Sequence, residues 1–157
     1  MSNENMITKA ENKVTALTAG NDMTAEFEVL PAGSHTGIRY TTTADEVQLF
    51  NVLNGTGGKV ADFIGQEVKV TGIVISSSDV LKDMNDDEDG ERECKPVVHF
   101  ILDNGDQISS ISNGIIRAAR NLLSVGFIPT QEKPFVIKFK EVKTKKGTAH
   151  SFDLISK

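Results

Sequence analysis

The chain has 157 residues, of which 38% are hydrophobic and 25% are charged, so we expect one globular domain rather than a disordered or fibrous chain. No apolar run approaches the roughly 18–20 residues of a membrane span, and the N-terminus lacks the charged start and apolar middle of a signal peptide. The formal charge of −5 argues against a uniformly basic surface, and the single cysteine, Cys94, excludes an intrachain disulfide and a cysteine-based zinc cluster.

The negative charge is concentrated in residues 79–93, which hold eight acidic and two basic residues. The rest of the chain keeps 14 of the 22 acidic residues and 15 of the 17 basic ones, a net charge of +1. We interpret residues 79–93 as an acidic loop and the body of the protein as nearly neutral.

Residues 1–36 are polar and are interrupted by glycine and proline. We interpret them as an N-terminal extension that is poorly ordered from residue 1 to about residue 24, with an extra strand at the domain edge as the alternative. Residues 37–157 then form the single domain. Residues 37–53 are predicted to be strand-like, because Val47 and Leu49 alternate with Gln48, Phe50 and Val52.

A long β-branched strand is predicted for residues 67–77. Gly72 lies in its middle, and a glycine inside a strand commonly marks a bulge or a sharp bend. A first strand that serves both sides of a small barrel needs such a bend.

A hairpin follows the acidic loop, in residues 95–108. Asn104-Gly105 predicts a two-residue type I′ turn, because both turn residues need a positive φ. With this turn Ile101 faces Ile108 across the strands. The face predicted to be core carries Val98, Phe100, Leu102 and Ile111; the face predicted to point outward carries Val97, His99, Ile101, Ile108 and Ser110.

The remaining segments are a helix and a second hairpin. Apolar residues at helical spacing predict a helix over residues 112–126, namely Ile115, Ile116, Ala119, Leu122 and Leu123. Phe135, Ile137 and Phe139 then alternate with Val136, Lys138 and Lys140, which predicts a strand. A lysine-rich turn at residues 143–148 leads into the last strand.

The order strand, loop, hairpin, helix, hairpin over residues 66–155 predicts a mainly β fold. It is the order of a five-stranded barrel of the oligonucleotide/oligosaccharide-binding type, the OB-fold, with one helix between strands three and four. A small α+β domain with an open antiparallel sheet is the alternative.

Clustered lysines mark the candidate nucleic-acid site. In this barrel type the loop between strands four and five contacts oligonucleotides, and here that loop carries lysines that would neutralise phosphates. A solvated, charge-protected hairpin tip is the alternative interpretation. The predicted phosphate contacts are Lys69, Lys138, Lys140, Lys143, Lys145 and Lys146.

Side chains that stack on bases are scarce, because the chain has eight Phe, one Tyr and no Trp. Aromatic stacking contributes about 1–3 kcal/mol per base in single-strand binders. The candidate base contacts are Tyr40, Phe50 and His99, together with the outward pair Ile101 and Ile108. Each of the first three is more often a structural residue when taken alone. We therefore expect modest affinity per nucleotide, compensated by occupation of many adjacent sites.

The sequence carries no catalytic or cofactor-binding pattern: no glycine-rich phosphate loop, no Gly-x-Ser-x-Gly and no His/Asp/Glu pair at ligand spacing. Residues 85–90 resemble the first half of a calcium loop, but the acid needed at its last position falls on Pro96, so no metal site is predicted. We interpret the acidic loop as a solvated, flexible insertion. The alternatives are that the loop docks a partner or that it competes with DNA for the basic face of the protein.

Five stretches resemble the single-stranded-DNA-binding proteins of small protein-primed tailed phages. They are residues 49–58, residues 65–74, residues 103–112, the predicted helix and the hairpin with the turn Lys145-Lys146-Gly147. The resemblance covers about residues 48–155. It implies an OB-type barrel without enzymatic activity that coats displaced single strands during phage replication in the host cytoplasm. Phage replication proteins and other copies of the chain are the further partners that it suggests.

The chain departs from that family in three places. Ile108 stands where the resemblance leads us to expect an aromatic residue, and both the acidic loop and the N-terminal extension are longer. The acidic C-terminal tail of bacterial single-strand binders is missing, so docking through such a tail is not expected. The leading hypothesis is a sequence-independent single-strand binder; the alternative is a phage interaction or virion-associated module, and a calcium-dependent barrel nuclease ranks third.

Overall fold

The computed structural model describes residues 25–55, 57–83, 87 and 89–156. The prediction of poor order up to about residue 24 therefore lies outside the described residues. Within them no helix is long and apolar enough to cross a membrane.

The described chain is mainly β, with eight strands in one sheet and two α-helices. The strands are β1 (Leu30–Pro31), β2 (Ile38–Thr41), β3 (Gly58–Lys59), β4 (Glu67–Leu81), β5 (Arg92–Leu102), β6 (Gln107–Ser110), β7 (Phe135–Thr144) and β8 (Gly147–Ser156). The helices are α1 (Glu46–Asn54) and α2 (Asn113–Ser124), and short 3-10 turns cover Ala25–Phe27 and Val60–Phe63.

The central strand of the sheet is β4. The strand order is β3-β6-β5-β4-β7-β8, and β1 and β2 add to β5 and β4 respectively. The first residues of β4 pair with β7, while most of its length pairs with β5. A register shift between Val70 and Gly72 separates the two regions, so the predicted bulge is present and the sheet curls there.

The prediction of the fold is confirmed at the level of a mainly β chain with a curled sheet. The segments β4, β5, β6, α2, β7 and β8 follow one another in the predicted order. The strand count and the helix content differ in detail, because β1, β2, β3 and α1 all precede β4.

The strand predicted within residues 37–53 is present only as β2 (Ile38–Thr41); the second half of the prediction is wrong, because Glu46–Asn54 is helix α1. Asp45 caps the helix: its Oδ1 accepts hydrogen bonds from the backbone N–H groups of Val47 and Gln48, at 3.0 and 3.2 Å. Leu49 and Val52, three residues apart, are the buried positions. Val47 and Leu49, two residues apart, also fit the alternation of a strand, and that coincidence produced the strand prediction.

The β5–β6 hairpin is shifted by one residue from the predicted register. Phe100, rather than Ile101, pairs with Ile108, so the loop has three residues, 103–105. Gly105 has φ 90°, and no non-glycine residue in the described chain has a positive φ. Asn104 instead accepts a hydrogen bond from the Asp106 N–H at 2.9 Å. The sequence Asn104-Gly105 is therefore compatible both with a type I′ turn and with a three-residue loop that ends in a glycine of positive φ.

Two apolar clusters lie on opposite faces of the sheet. The larger one joins α2 to the strands, and the rings of Phe100, Phe139 and Phe152 contact one another edge to face. The smaller one lies under α1 and consists of Leu49, Val52, Val74 and Ile101. As a result, α1 covers part of the face that the sequence predicted to be open.

Candidate nucleic-acid interface

The far half of the β7–β8 hairpin is a basic arm, which we define as residues 138–150. It contains five lysines and one glutamate. The chain reverses through Lys145 and Lys146, with Thr144 opposite Gly147. The Thr144 hydroxyl accepts a hydrogen bond from the Lys146 N–H at 3.3 Å and donates one to the Gly147 carbonyl at 2.9 Å. These local bonds hold an exposed turn with two ammonium groups at its end.

The lysines of the basic arm differ in their acidic neighbours. Lys140 forms a 2.8 Å ion pair with Asp153, and Lys138 stands in register between Glu67 and Asp153. Within the described chain, no carboxylate lies within 4.0 Å of the ammonium groups at the tip. Those tip residues are Lys143, Lys145 and Lys146, and all three are exposed. The tip therefore holds the least compensated positive charge of the arm.

Lys69 extends this basic surface onto β4. It is exposed, and its register partner in β7 is Val136, two residues from Lys138. Because residues two apart on a strand share a face, Lys69 and Lys138 lie on the same side of the sheet. The structure thus brings the six predicted phosphate contacts onto β4 and one hairpin.

The predicted base contacts are placed differently. Ile108 is fully buried in the larger cluster, because the one-residue register shift turns it towards the core. Ile101 does lie on the opposite face, but α1 covers it and leaves it 2% exposed. The prediction that these two side chains form an outward pair is therefore wrong. Tyr40 is also buried, and burial raises the pKa of its hydroxyl well above the usual range.

His99 is a buried connection between strands. One ring nitrogen, Nε2, lies 2.8 Å from Ser76 Oγ, and the other, Nδ1, lies 2.7 Å from Ser109 Oγ. Burial lowers the pKa of His99 from 6.5 to about 4, so the ring is neutral at pH 7. A neutral imidazole can donate one of these hydrogen bonds and accept the other. In this structure His99 ties β4, β5 and β6 together rather than facing solvent.

Phe50 is the exposed member of the predicted aromatic set. It lies on α1 with 65% of its surface accessible. Val47 and Leu53, three residues before and after it, are 70% and 44% exposed and extend the same stripe. The helix carries no basic residue, and Asp45 caps its N-terminus.

The two ends of the acidic loop belong to a long β-ribbon. The β4–β5 pairing continues as far as Leu81 opposite Arg92, so both ends of residues 79–93 are strand. Lys82 and Glu91 close the ribbon with a 2.9 Å backbone hydrogen bond and a 3.4 Å ion pair. The calcium-like residues 85–90 lie partly outside the described residues, and the described residues contain no group of three or more potential metal ligands.

The sequence reasoning missed a groove between α2 and β8. It has a volume of about 570 Å³ and is lined by Arg117, Ala118 and Asn121 of the helix and by Val142, His150 and Ser151 of the β7–β8 hairpin. The one signal in the sequence is Gly114 in the first turn of α2, which permits close approach to β8.

A family model described as Phage Single-stranded DNA-binding protein matches residues 33–154, which is most of the chain. No curated protein and no solved structure matches the chain.

Proposed function

The chain belongs to the family of phage single-stranded DNA-binding proteins, and we propose that it holds the DNA on its basic arm. Its function is to bind single-stranded DNA in phage replication. The proposal concerns where the strand lies and how it is recognised.

The observation that carries the proposal is the uncompensated charge at the arm's tip. Lys143, Lys145 and Lys146 are exposed and have no carboxylate within 4.0 Å in the described chain. Phosphates that bind such groups release condensed counterions, and this release drives most sequence-independent binding. Lys69, Lys138 and Lys140 extend the track along the sheet, although acidic neighbours reduce the contribution of the last two.

Sequence independence follows from the type of contact. Lysine ammonium groups are point charges that bind phosphates without reading base edges. Exposed aromatic groups are few, so each nucleotide contributes little stacking energy. We therefore propose that many copies coat and protect a displaced strand, each with modest affinity, in the host cytoplasm and without catalysis of their own.

The strand order supports an OB-type barrel for β4 to β8. Three strands, a helix and two further strands are the plan of that fold, and the β7–β8 turn corresponds to a loop that such barrels use for oligonucleotides. The long β4, with its bulge, serves as the shared first strand.

An oligo-dT titration of the full chain at two salt concentrations tests the function itself. We expect binding that weakens steeply as salt rises. Absence of binding even at low salt would favour the interaction-module alternative. Degradation of the oligonucleotide when divalent metal is added would instead favour the nuclease.

A further inference from the structure

The groove between α2 and β8 begins beside the arm's tip. One wall is the helix surface that contains Arg117, Ala118 and Asn121, and the other is the β7–β8 hairpin, which includes the arm. Thr144, which lies between the tip residues Lys143 and Lys145, is part of the lining. A strand held at the tip can therefore pass directly into the groove.

The local packing fixes one end of this groove. At its N-terminal end α2 lies directly against β8, because a Cβ atom at Gly114 would overlap the carbonyl oxygen of His150. Behind the groove, Ile115, Ala119 and Leu123 anchor the same helix in the larger cluster. The helix wall is thus held in place by the protein core.

The lining combines positive charge with apolar surface. Arg117 is exposed on the helix wall, and Lys140 lies on the opposite wall with its ion-pair partner Asp153. Ala118, Leu122 and Val142 supply apolar surface between them. A nucleotide matches this combination, because it carries an anionic phosphate and a flat, largely apolar base. A guanidinium group can also stack on a base.

We propose that this groove is a subsite for a nucleotide of the bound single strand. The phosphate lies by Arg117, and the base rests on the apolar surface of Ala118 and Val142. This inference depends on the proposed binding of DNA by the basic arm and adds to it a base-contacting element outside the predicted residues.

The test compares Arg117→Gln with Arg120→Gln in the full chain. Both changes remove one positive charge from α2, but Arg120 does not line the groove. Two oligonucleotides of equal length are used: oligo-dT, and an abasic strand with the same phosphates. We expect Arg117→Gln to weaken oligo-dT binding about five- to tenfold and to reduce the magnitude of the slope of log K against log salt by about 0.7. Arg120→Gln should change the affinity less than about twofold.

The abasic strand tests the base contact. The parent should bind it several-fold more weakly than oligo-dT, and Arg117→Gln should reduce that difference. Equal effects of the two arginine variants, or equal binding of the two strands by the parent, would overturn the groove proposal. Equal melting temperatures verify that both variants fold. If removal of the tip lysines weakens binding while the two arginine variants bind alike, the groove proposal is wrong and the proposal that the basic arm binds DNA is retained. If removal of the tip lysines has no effect on binding, the proposal that the basic arm binds DNA is itself wrong.

Discussion

The Nε2 atom of His99 lies 2.8 Å from the hydroxyl oxygen of Ser76, across the β4–β5 pair. The other ring nitrogen lies 2.7 Å from Ser109 Oγ on β6, so one imidazole links three strands. Because burial lowers the pKa of His99 to about 4, this link exists with a neutral ring.

A dependence of stability on pH follows. The pKa of His99 is 6.5 in the reference state and about 4 in the folded chain, so between these values the unfolded chain binds the extra proton. The free energy of unfolding should therefore fall as pH drops from 6.5 towards 4, by about 2–3 kcal/mol from this residue, and be unaffected by it above that window. Urea unfolding at pH 7 and pH 4.5 measures the effect. His99→Gln should lose less stability over this interval than the parent; identical losses would contradict the assignment.

Ile108 should behave as a core residue. Its side chain is fully buried, so Ile108→Ala removes packed methyl groups and should lower the free energy of unfolding by about 2–4 kcal/mol. Ile155→Ala is the matched control, since Ile155 is 47% exposed and the same truncation there should cost less than about 1 kcal/mol. Equal losses for the two variants would mean that Ile108 does not face the core.

Gly114 should not tolerate a side chain, although alanine is the better helix former. Gly114→Ala puts a methyl group against the His150 carbonyl and should destabilise the chain by about 1–3 kcal/mol. Asn121→Ala, at an exposed position of the same helix, should change stability by less than about 0.5 kcal/mol. Thermal melts compare the two; a stabilised Gly114→Ala protein would show that α2 and β8 are further apart.

Phe50 offers a test of base stacking on α1. If bases contact this helix, Phe50→Ala should weaken oligo-dT binding by about 1 kcal/mol or more. Val47→Ala removes a neighbouring side chain that is equally exposed but cannot stack, and should leave binding unchanged. Fluorescence titration measures both. If the two variants bind alike, Phe50 is not part of the DNA site.

The acidic loop should have little influence on the basic arm. The loop continues from the Leu81 end of β4, whereas the arm lies at the opposite end, where Glu67 pairs with Lys138. The intervening strand is roughly 45 Å in contour, and charges at physiological salt are screened over about 8–10 Å. Deletion of residues 83–91 should therefore change oligo-dT affinity less than about twofold and leave stability nearly unchanged. A large gain in affinity would support competition between the loop and DNA, and unfolding would show that the ribbon end is part of the core.

Much of the fold follows from local periodicity. The strands β4, β5, β7 and β8 and helix α2 each repeat at one clear period, and their order can be predicted. Helix α1 could not be assigned in this way, because Leu49 and Val52 fit a helix while Val47 and Leu49 fit a strand. The capping hydrogen bonds of Asp45 and the apolar surface under α1 decide between them.

The residues of the candidate site also differ in how far the sequence could predict their positions. Exposed lysines on a hairpin can be placed from alternation alone, and the structure has them at the surface. The base contacts depended on the register of the β5–β6 hairpin, and Asn104-Gly105 is compatible with two loop lengths that differ by one residue. That single residue moves Ile108 from the surface to the core. Ile101 is buried by a tertiary contact with α1, and no local sequence pattern predicts that contact.

The most direct test of the central claim is the salt dependence of oligo-dT binding when the arm's tip is neutralised. The variant replaces Lys143, Lys145 and Lys146 with Gln. The control replaces Lys59, Lys82 and Lys133, which are also exposed and carry the same total charge. Each lost phosphate contact reduces the magnitude of the negative slope of log K against log salt by about 0.7, so we predict that this magnitude falls by about 2 for the tip variant and hardly changes for the control. A tip variant whose slope equals that of the parent, or of the control, would contradict the proposal that the basic arm holds the DNA.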